Sequence, residues 1–425
     1  MKTLSLVMFA LAWLLTPAAH ASPLSFDGEP AQPRVAVVGG AVHDGTGKVL
    51  ENGVVEFEGA RIVRIGTGEA SPGATVIDAK GKLVTPGLIA ASTTLGLVEI
   101  GMEASTRDTA RGDDDPIRAA YDASLAVHAQ STLLAVQAID GVTSAATTPQ
   151  GGVLSGQVAW IDLLPGHHHD IVAKPRIAVA GGLGQRVAGS RAATLAHLAE
   201  VLDDARIYRT RKAAFERRAS RDLAAHRLDL EALGPVLGRE VPLVLEAHRV
   251  SDLLALIELA KTQKLRITVT GASQAWQVAD ELAAAKIPVI VAPTANLPGG
   301  FDRIGARMDN ASLLHAAGAT VGIAALGEAH NARNVTQQAG IAVAHGLPHE
   351  VALTAVTHAV ALAYGMDADY GSLAPGKVAN IVIWPADPFE LSTVPEAVVI
   401  RGESIPLRSR QTDLRDRYLR RFEAP

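Results

Sequence analysis

The stretch Gly81-Lys82-Leu83-Val84-Thr85-Pro86-Gly87-Leu88-Ile89-Ala90-Ala91 marks the point at which one sequence pattern gives way to another. Before it, short β-forming runs alternate with glycine turns, and residues 53–66 have the pattern of a β-hairpin with Glu58-Gly59 at its tip. After Gly87, apolar runs alternate with Ala/Leu-rich segments of helical spacing. This alternation predicts a parallel sheet covered by helices and, at a length of 425 residues, a (β/α)8 barrel.

The barrel strands can be counted from the apolar runs. Seven runs are clear, namely Leu88–Ala91, Val142–Ala146, Ile177–Ala180, Leu243–Ala247, Ile267–Thr270, Val289–Ala292 and Val321–Ala325. Residues 190–238 have a helical pattern, so the eighth strand is either hidden in that segment or replaced.

The β pattern returns after residue 366, in the segments Gly371–Trp384 and Val398–Gly402. Because β-rich segments flank the barrel on both sides, we expect the two flanks to form one domain. The predicted fold class is α/β, with a (β/α)8-type, TIM-like barrel, complete or deformed, and a β-sandwich made by the N- and C-terminal flanks. The predicted parts are a composite β-sandwich domain (34–86 and 367–408), a (β/α)8-type barrel (87–366) and a C-terminal helical tail (409–425).

The first residues have the pattern of a secretory signal peptide. Met1-Lys2 is basic, Leu4–Leu15 is an apolar run too short to span a bilayer, and Ala19-His20-Ala21 is a small-x-small cleavage site. We therefore expect a signal peptide at 1–21, a linker at 22–33 and export to the periplasm, with an N-terminal anchor as the alternative. No other stretch reaches about 18 uncharged apolar residues, so no membrane span is expected after cleavage.

Composition excludes several classes of protein. The chain has no Cys, which rules out a disulfide scaffold and a Cys-based zinc or thiol site. A formal net charge of −5 argues against a nucleic-acid partner, because such partners are bound by neutralising phosphates. The 14 His raise the hypothesis of a metal site.

Three passages resemble the amidohydrolase superfamily, nearest its imidazolonepropionase-like branch. Gly81–Ile89 resembles the lead into the first barrel strand, and His330–Asn334 with Ala339–Ala344 resembles the stretch after the last strand. Gly371–Val382 resembles the return into the sandwich, where Asp is usual at the position of Asn380. The resemblance implies a hydrolase of non-peptide C–N bonds, in which one or two metal ions activate water and an Asp handles the proton.

Most of the metal ligands that the resemblance implies are missing. Ser92-Thr93-Thr94 stand where His-x-His is expected, strand six has Thr270 at or next to its His position, and strand eight lacks its Asp. Strand five keeps His248, and the strand with the bridging Lys is not recognisable. Hydroxyls are poor zinc ligands, and a lone imidazole cannot supply the three ligands of a catalytic site. We predict no metal or cofactor, with zinc an option only if Glu328 or His330 is recruited.

Other polar residues are expected near the barrel mouth, where the carboxyl ends of the strands meet. An imidazole near a carboxylate forms an acid/base pair, although a core histidine with a backbone partner is the interpretation we favour for His248. The loop Thr147–Gln157 serves either as a ligand contact or as a structural turn. The candidate catalytic residues are His248, Glu328 and His330, and the candidate substrate-binding residues are Ser92, Thr94, Thr148, Gln150 and Thr270.

Three further motifs have simpler interpretations. His167-His168-His169 indicates an exposed polar loop, because adjacent residues cannot all face one metal. Gly181-Gly182-Leu183-Gly184 lacks the third Gly of a dinucleotide fingerprint and indicates a turn at a strand end. The basic segment 206–227 is interrupted by acids and indicates a solvated helix face.

Two functions are compatible with these observations. The first is an exported hydrolase of non-peptide C–N bonds, acting on a cyclic amide or a similar small substrate, with the family metal site largely lost. The alternative is a catalytically inactive relative that binds a small molecule or a partner. Both imply a small-molecule ligand and no nucleic acid, and the resemblance adds the expectation of a homo-oligomer.

Overall fold

The computed structural model describes residues 33–110, 115–166, 170–184, 188–217, 221–295 and 297–423. The predicted signal peptide and His167–His169 lie outside these ranges. Within the ranges, no helix combines the length and the apolar character that crossing a bilayer requires.

Sixteen strands occur in the described residues, and they form two sheets. The strands before the barrel are β1 (Arg34–His43), β2 (Val49–Glu58), β3 (Arg61–Thr67), β4 (Thr75–Asp78) and β5 (Leu83–Pro86). The barrel strands are β6 (Leu88–Thr93), β7 (Val142–Thr147), β8 (Leu154–Asp162), β9 (Val172–Gly182), β10 (Leu243–Ala247), β11 (Ile267–Gly271), β12 (Val289–Val291) and β13 (Val321–Ile323). The last strands are β14 (Ile381–Trp384), β15 (Ala397–Ile400) and β16 (Glu403–Ser404).

The two flanks of the chain share one sheet, which we call the flank sheet. Its order is β16-β15-β14-β5-β1-β2-β3, and β4 pairs with β1. The N- and C-terminal flanks meet where β5 pairs antiparallel with β14, so that Thr85 lies opposite Val382. The alternating buried residues of these strands, including Val37, Phe57 and Ile383, form a core of their own.

The eight central strands follow one another around a nearly closed barrel, from β6 to β13. A parallel bridge between Thr93 and Gly327 joins the two ends, and Ser92 accepts a hydrogen bond from the Gly327 N–H (3.1 Å). The barrel and the flank sheet together confirm the predicted α/β fold class.

The position predicted for the eighth barrel strand is wrong. Residues 190–238, proposed to hide or replace that strand, contain helices, and the strand is β8. This strand runs antiparallel to both β7 and β9, so the barrel is not wholly parallel. Its polar beginning, Ser155-Gly156-Gln157, has the composition of a loop because it lies at the barrel mouth, although all nine residues of β8 are buried.

Helices cover the outside of the barrel and end the chain. They are α1 (Thr132–Ala138), α2 (Arg191–Glu216), α3 (Arg227–Ala232), α4 (Gly234–Leu237), α5 (Val250–Thr262), α6 (Ala279–Ala284), α7 (Asn310–Ala316), α8 (Val335–Ala344), α9 (His349–Ala355), α10 (His358–Ala363) and α11 (Arg410–Glu423). The side-chain hydroxyl of Ser190 accepts from the Ala193 N–H and caps α2 (3.2 Å).

A buried carboxylate joins the lower end of the barrel to the flank sheet. Asp162 is fully buried at the end of β8 and accepts hydrogen bonds from the Ser144 hydroxyl (2.8 Å) and the Tyr370 hydroxyl (3.0 Å). The Asn380 side-chain amide donates to Ser144 (3.0 Å) and to Asp162 (3.4 Å). Burial raises the pKa of Asp162 to about 6. An Asp in place of Asn380 would face this carboxylate without a proton to donate, which explains the amide.

The raised pKa of Asp162 predicts a pH-dependent free energy of unfolding. The folded chain binds the proton of the Asp162 carboxyl more tightly than the unfolded chain does. The protonated carboxyl therefore stabilises the folded state fully below the unfolded pKa of 3.8, and this stabilisation is lost as the pH rises through about 6. The difference corresponds to about 3 kcal/mol. In urea unfolding between pH 4 and 7, wild type should lose about this much relative to Asp162→Asn.

The exposed carboxylate Asp203 offers a matched control. The free energy of unfolding of Asp203→Asn should differ from that of wild type by the same amount at every pH in this range. A wild-type minus Asp162→Asn difference that does not change with pH would contradict the assignment.

Candidate functional site

A cavity of about 1190 Å³ opens at the barrel mouth. The carboxyl ends of the parallel strands and the loops that follow them line it, as is usual for binding sites in barrels. Because β8 is antiparallel, its first residues also reach the mouth, and Ser155 contributes to the lining.

The cavity brings together five of the eight candidate residues. Ser92, Thr148, Gln150, His248 and Thr270 all line it. The loop after β7 is therefore both a turn and part of the cavity wall, because Pro149, Gly151 and Gly152 contribute to the lining as well.

The three remaining candidates lie elsewhere. Thr94 is 3% exposed, and its hydroxyl is directed at the carbonyl oxygen of Gly327 (3.5 Å). Glu328 and His330 lie outside the cavity lining and contact each other on the surface, with 3.2 Å between Oε2 and Nε2.

Strand β10 carries a second functional side chain two residues before His248. Val244, Glu246 and His248 follow the period-two alternation of a strand, and all three line the cavity. Val244 is buried at the bottom of this row, whereas the Glu246 carboxylate is exposed to the cavity. The next strand makes room for the imidazole, because a Cβ on Gly271 would lie 2.5 Å from His248 Cε1.

His248 is held by side chains on both ring nitrogens. Its Nδ1 lies 2.9 Å from the Ser273 hydroxyl, and its Nε2 lies 3.0 Å from Glu246 Oε1. Arg303 approaches the same Nε2, with 3.1 Å to its Nη2, and lies 3.7 Å from Glu246 Oε1. Since one nitrogen cannot donate to Glu246 and accept from Arg303 together, two alternative hydrogen-bonding arrangements exist, which differ in the nitrogen that carries the proton.

The charge state of Glu246 follows from these contacts. The hydrogen bond with His248 lowers the pKa of Glu246, and the positive charges of His248 and Arg303 act in the same direction against the effect of desolvation. Glu246 is therefore ionised at neutral pH, and His248 lies within hydrogen-bonding distance of both its carboxylate and the Arg303 guanidinium.

The loop that follows β12 positions Arg303. Residues Phe301–Arg303 form a 3₁₀ turn at the edge of the cavity, and Asp302 of this turn pairs with Arg191 at the start of α2. Arg191 also contacts the buried Asp252 (3.2 Å). These ion pairs connect the loop to α2 and α5 on the outside of the barrel. They fix the position of the loop, and therefore the position of Arg303 at the cavity edge.

The floor of the cavity does not fit the metal that the resemblance implies. Ser92 stands at the first ligand position, in the left-handed backbone region at φ 47°, and its hydroxyl lies 2.7 Å from that of Tyr364. The Tyr364 hydroxyl also accepts from the Ser92 N–H (3.2 Å). An imidazole built along the Oγ direction would meet this phenol. Burial raises the pKa of Tyr364 to about 12, so it stays a neutral phenol and is no anionic ligand.

The other expected ligand positions agree with this conclusion. Strand four is β9, which ends in Ala180-Gly181-Gly182, and its Lys174 lies at the opposite end of the strand. No group of three or more His, Cys, Asp or Glu suited to a metal ion occurs among the residues that the structure describes.

Four of the residues at the site were not identified from the sequence, and for one of these residues a sequence pattern predicts the position. Glu246 could have been found, because the alternation in Val244-Leu245-Glu246-Ala247-His248 places it beside the histidine. Arg303 lies in an irregular loop, and Ser273 and Tyr364 follow a strand end and a short helix. No periodic pattern marks these three positions.

Comparisons with known proteins agree with this architecture. Residues 207–405 match the model of the amidohydrolase family. An amidohydrolase from Thermotoga maritima MSB8 has a TM-score of 0.78 and 23% identity, over 88% of this chain and 100% of that chain. Molinate hydrolase has a TM-score of 0.55 and 16% identity, over 89% and 95% of the two chains. Phenylurea hydrolase B has a TM-score of 0.54 and 17% identity, over 88% and 97%.

At these identities the structural likenesses establish the fold alone. The family match over residues 207–405 agrees with the resemblance to the amidohydrolase superfamily. No curated protein matches the sequence.

The contact between Ser92 and Tyr364 predicts a stabilising role for the phenol hydroxyl. Tyr364→Phe should lower the free energy of unfolding by about 1–3 kcal/mol, because the Ser92 N–H loses its acceptor in a nearly buried place. Urea unfolding at neutral pH measures this. Tyr418→Phe removes an exposed hydroxyl and is the matched control, expected to leave stability unchanged. Equal stability of the two variants would show that the hydroxyl does not hold Ser92.

Proposed function

Because residues 207–405 of this chain match the amidohydrolase family, we propose that the chain hydrolyses non-peptide C–N bonds of a small substrate without the family's metal chemistry. One observation carries the proposal: Glu246, His248 and Arg303 meet in the mouth cavity, and both ring nitrogens of His248 have side-chain partners. Three of the ligand positions that the resemblance implies hold the hydroxyls of Ser92, Thr94 and Thr270, which are poor zinc ligands.

The three groups suit the steps of amide hydrolysis. Glu246, held ionised by its neighbours, takes a proton from water, and the oxygen of that water adds to the carbonyl carbon. The guanidinium of Arg303 stabilises the negative charge that develops on the carbonyl oxygen. Glu246 passes the proton taken from water to the His248 imidazole across 3.0 Å, and the imidazolium so formed donates it to the leaving nitrogen as the C–N bond breaks. The products are a carboxylic acid and an amine.

The remaining lining favours a neutral, polar substrate. Most of its polar side chains are uncharged amides or hydroxyls, and Gln338 and Thr294 exchange hydrogen bonds that fix one wall. The charged groups Glu246 and Arg303 face each other in the cavity, and Asp302 pairs with Arg191 outside it. A cyclic amide or a similar small molecule would therefore be held by hydrogen bonds rather than by charge.

A second function is favoured by a specific observation. The Ser92–Tyr364 contact places a neutral phenol under the cavity where the resemblance expects metal ligands. A relative that had lost catalysis and kept the cavity would bind a small molecule, or a partner, without turnover. A homo-oligomer, suggested by the resemblance, is part of both proposals.

We also propose export to the periplasm. The support is the sequence of the first residues, with basic Met1-Lys2, the apolar run Leu4–Leu15 and the cleavage motif Ala19-His20-Ala21. The imidazolonepropionase-like branch is likewise a proposal that rests on the three sequence passages.

The experiment is a hydrolysis screen of the purified chain against cyclic amides and neutral acylated amines, with and without a chelator, following amine release by mass spectrometry. Turnover should survive the chelator. Glu246→Gln should lower kcat by about 10²–10⁴-fold, because it removes the general base while keeping the shape of the side chain.

Glu231→Gln, which alters an exposed carboxylate on α3, is the matched control and should not change kcat. Turnover that disappears with the chelator and returns with zinc would overturn the metal-free mechanism. Tight binding of a screened compound without turnover, under every metal condition, would replace the hydrolase with the binding protein.

A further inference from the structure

The C-terminal helix α11 projects from the body of the protein. Its start is fixed, because Ser409 and Thr412 cap each other and the Gln411 side chain accepts from Arg333 (3.4 Å). From Asp413 to Phe422 every residue is exposed. A helix of 14 residues is marginally stable alone in water, so a projecting one gains from a surface to lie on.

The exposed part of α11 carries an apolar stripe. Leu414, Tyr418 and Phe422 are spaced four residues apart, which places them on one face at about 100° per residue. These side chains are 42%, 53% and 86% exposed, and Leu419 beside them is 50% exposed. Two of the four are aromatic, which is unusual for a helix face in contact with water only.

Arginines border this stripe on both sides. On the helical wheel Arg415 follows Phe422 on one side and Arg421 precedes Leu414 on the other. Asp413 and Asp416 lie on the opposite half of the wheel, and the Asp416 carboxylate pairs with the Arg415 guanidinium (2.7 Å). The Arg421 guanidinium lies 5.4 Å from the centre of the Tyr418 ring, so its stem runs along the apolar face. The helix holds five Arg against three acidic residues in a chain of net charge −5.

We propose that α11 is an interfacial anchor that lies in the headgroup layer of an anionic phospholipid bilayer. Its Leu and aromatic side chains enter the acyl boundary, and the bordering arginines reach the lipid phosphates, with which a guanidinium forms paired hydrogen bonds. A second copy of this helix is a poor partner, because the arginine borders of the two stripes would face each other. The negative body of the protein limits the attraction to this helix.

Vesicle co-sedimentation of the full chain tests the anchor. The protein should bind vesicles of mixed phosphatidylglycerol and phosphatidylcholine, release at high salt, and bind pure phosphatidylcholine at least about tenfold more weakly. Arg415→Gln/Arg421→Gln should weaken binding to the mixed vesicles by about tenfold or more. Leu414→Ser/Phe422→Ser should likewise weaken binding to the mixed vesicles at low salt.

The matched control is Arg209→Gln/Arg211→Gln, which removes the same charge from the exposed face of α2. It should bind like wild type. Equal binding to neutral and anionic vesicles, or equal loss with the α2 variant, would overturn the proposal. So would a stable dimer in light scattering that dissociates in Leu414→Ser/Phe422→Ser, because the stripe would then belong to a second copy.

Discussion

The hydrogen-bonded carboxylate of Asp162 is the constraint on which the two sheets depend. It gathers donors from β7, from the segment after α10 and from the residue that precedes β14. A buried charge or proton is tolerated only where such donors are complete, so these three segments must meet in one arrangement. The return of the chain from the barrel to the flank sheet is therefore fixed by a polar contact as well as by apolar packing.

Above this contact, aromatic rings fill the barrel. Trp160 packs against Tyr370 at 5.1 Å and against Tyr364 at 6.4 Å between ring centroids. The Tyr364 ring rises from the segment after α10 and ends in the hydroxyl that meets Ser92. The ring of Tyr364 therefore lies in the apolar lower part of the barrel, and its hydroxyl lies at the polar floor of the cavity. This position of the hydroxyl separates a packed lower half from an open mouth.

Sequence patterns identified the strands and helices whose side chains share one kind of surroundings along their whole length. The parallel strands are buried on both faces and appear as apolar runs, and the flank strands end in recognisable glycine turns. Strand β8 was missed because its first residues face a polar cavity, which gives a strand the composition of a loop. In the site, His248 was recognised from the family pattern, and Glu246 obeys a simple alternation. Arg303 depends on ion pairs of Asp302 with a helix more than 100 residues away, which no local pattern records.

The reversed direction of β8 also has a kinetic consequence. Strands β7, β8 and β9 form an antiparallel meander in which Ala145 pairs with Ile161, and Gln157 pairs with Val179. Parallel neighbours elsewhere in the barrel need a crossover of a dozen or more residues before they can pair. Loops with short sequence separation close at a lower entropic cost, and contacts of low order form faster. These three strands can therefore pair at a lower entropic cost than the parallel strands of the same barrel.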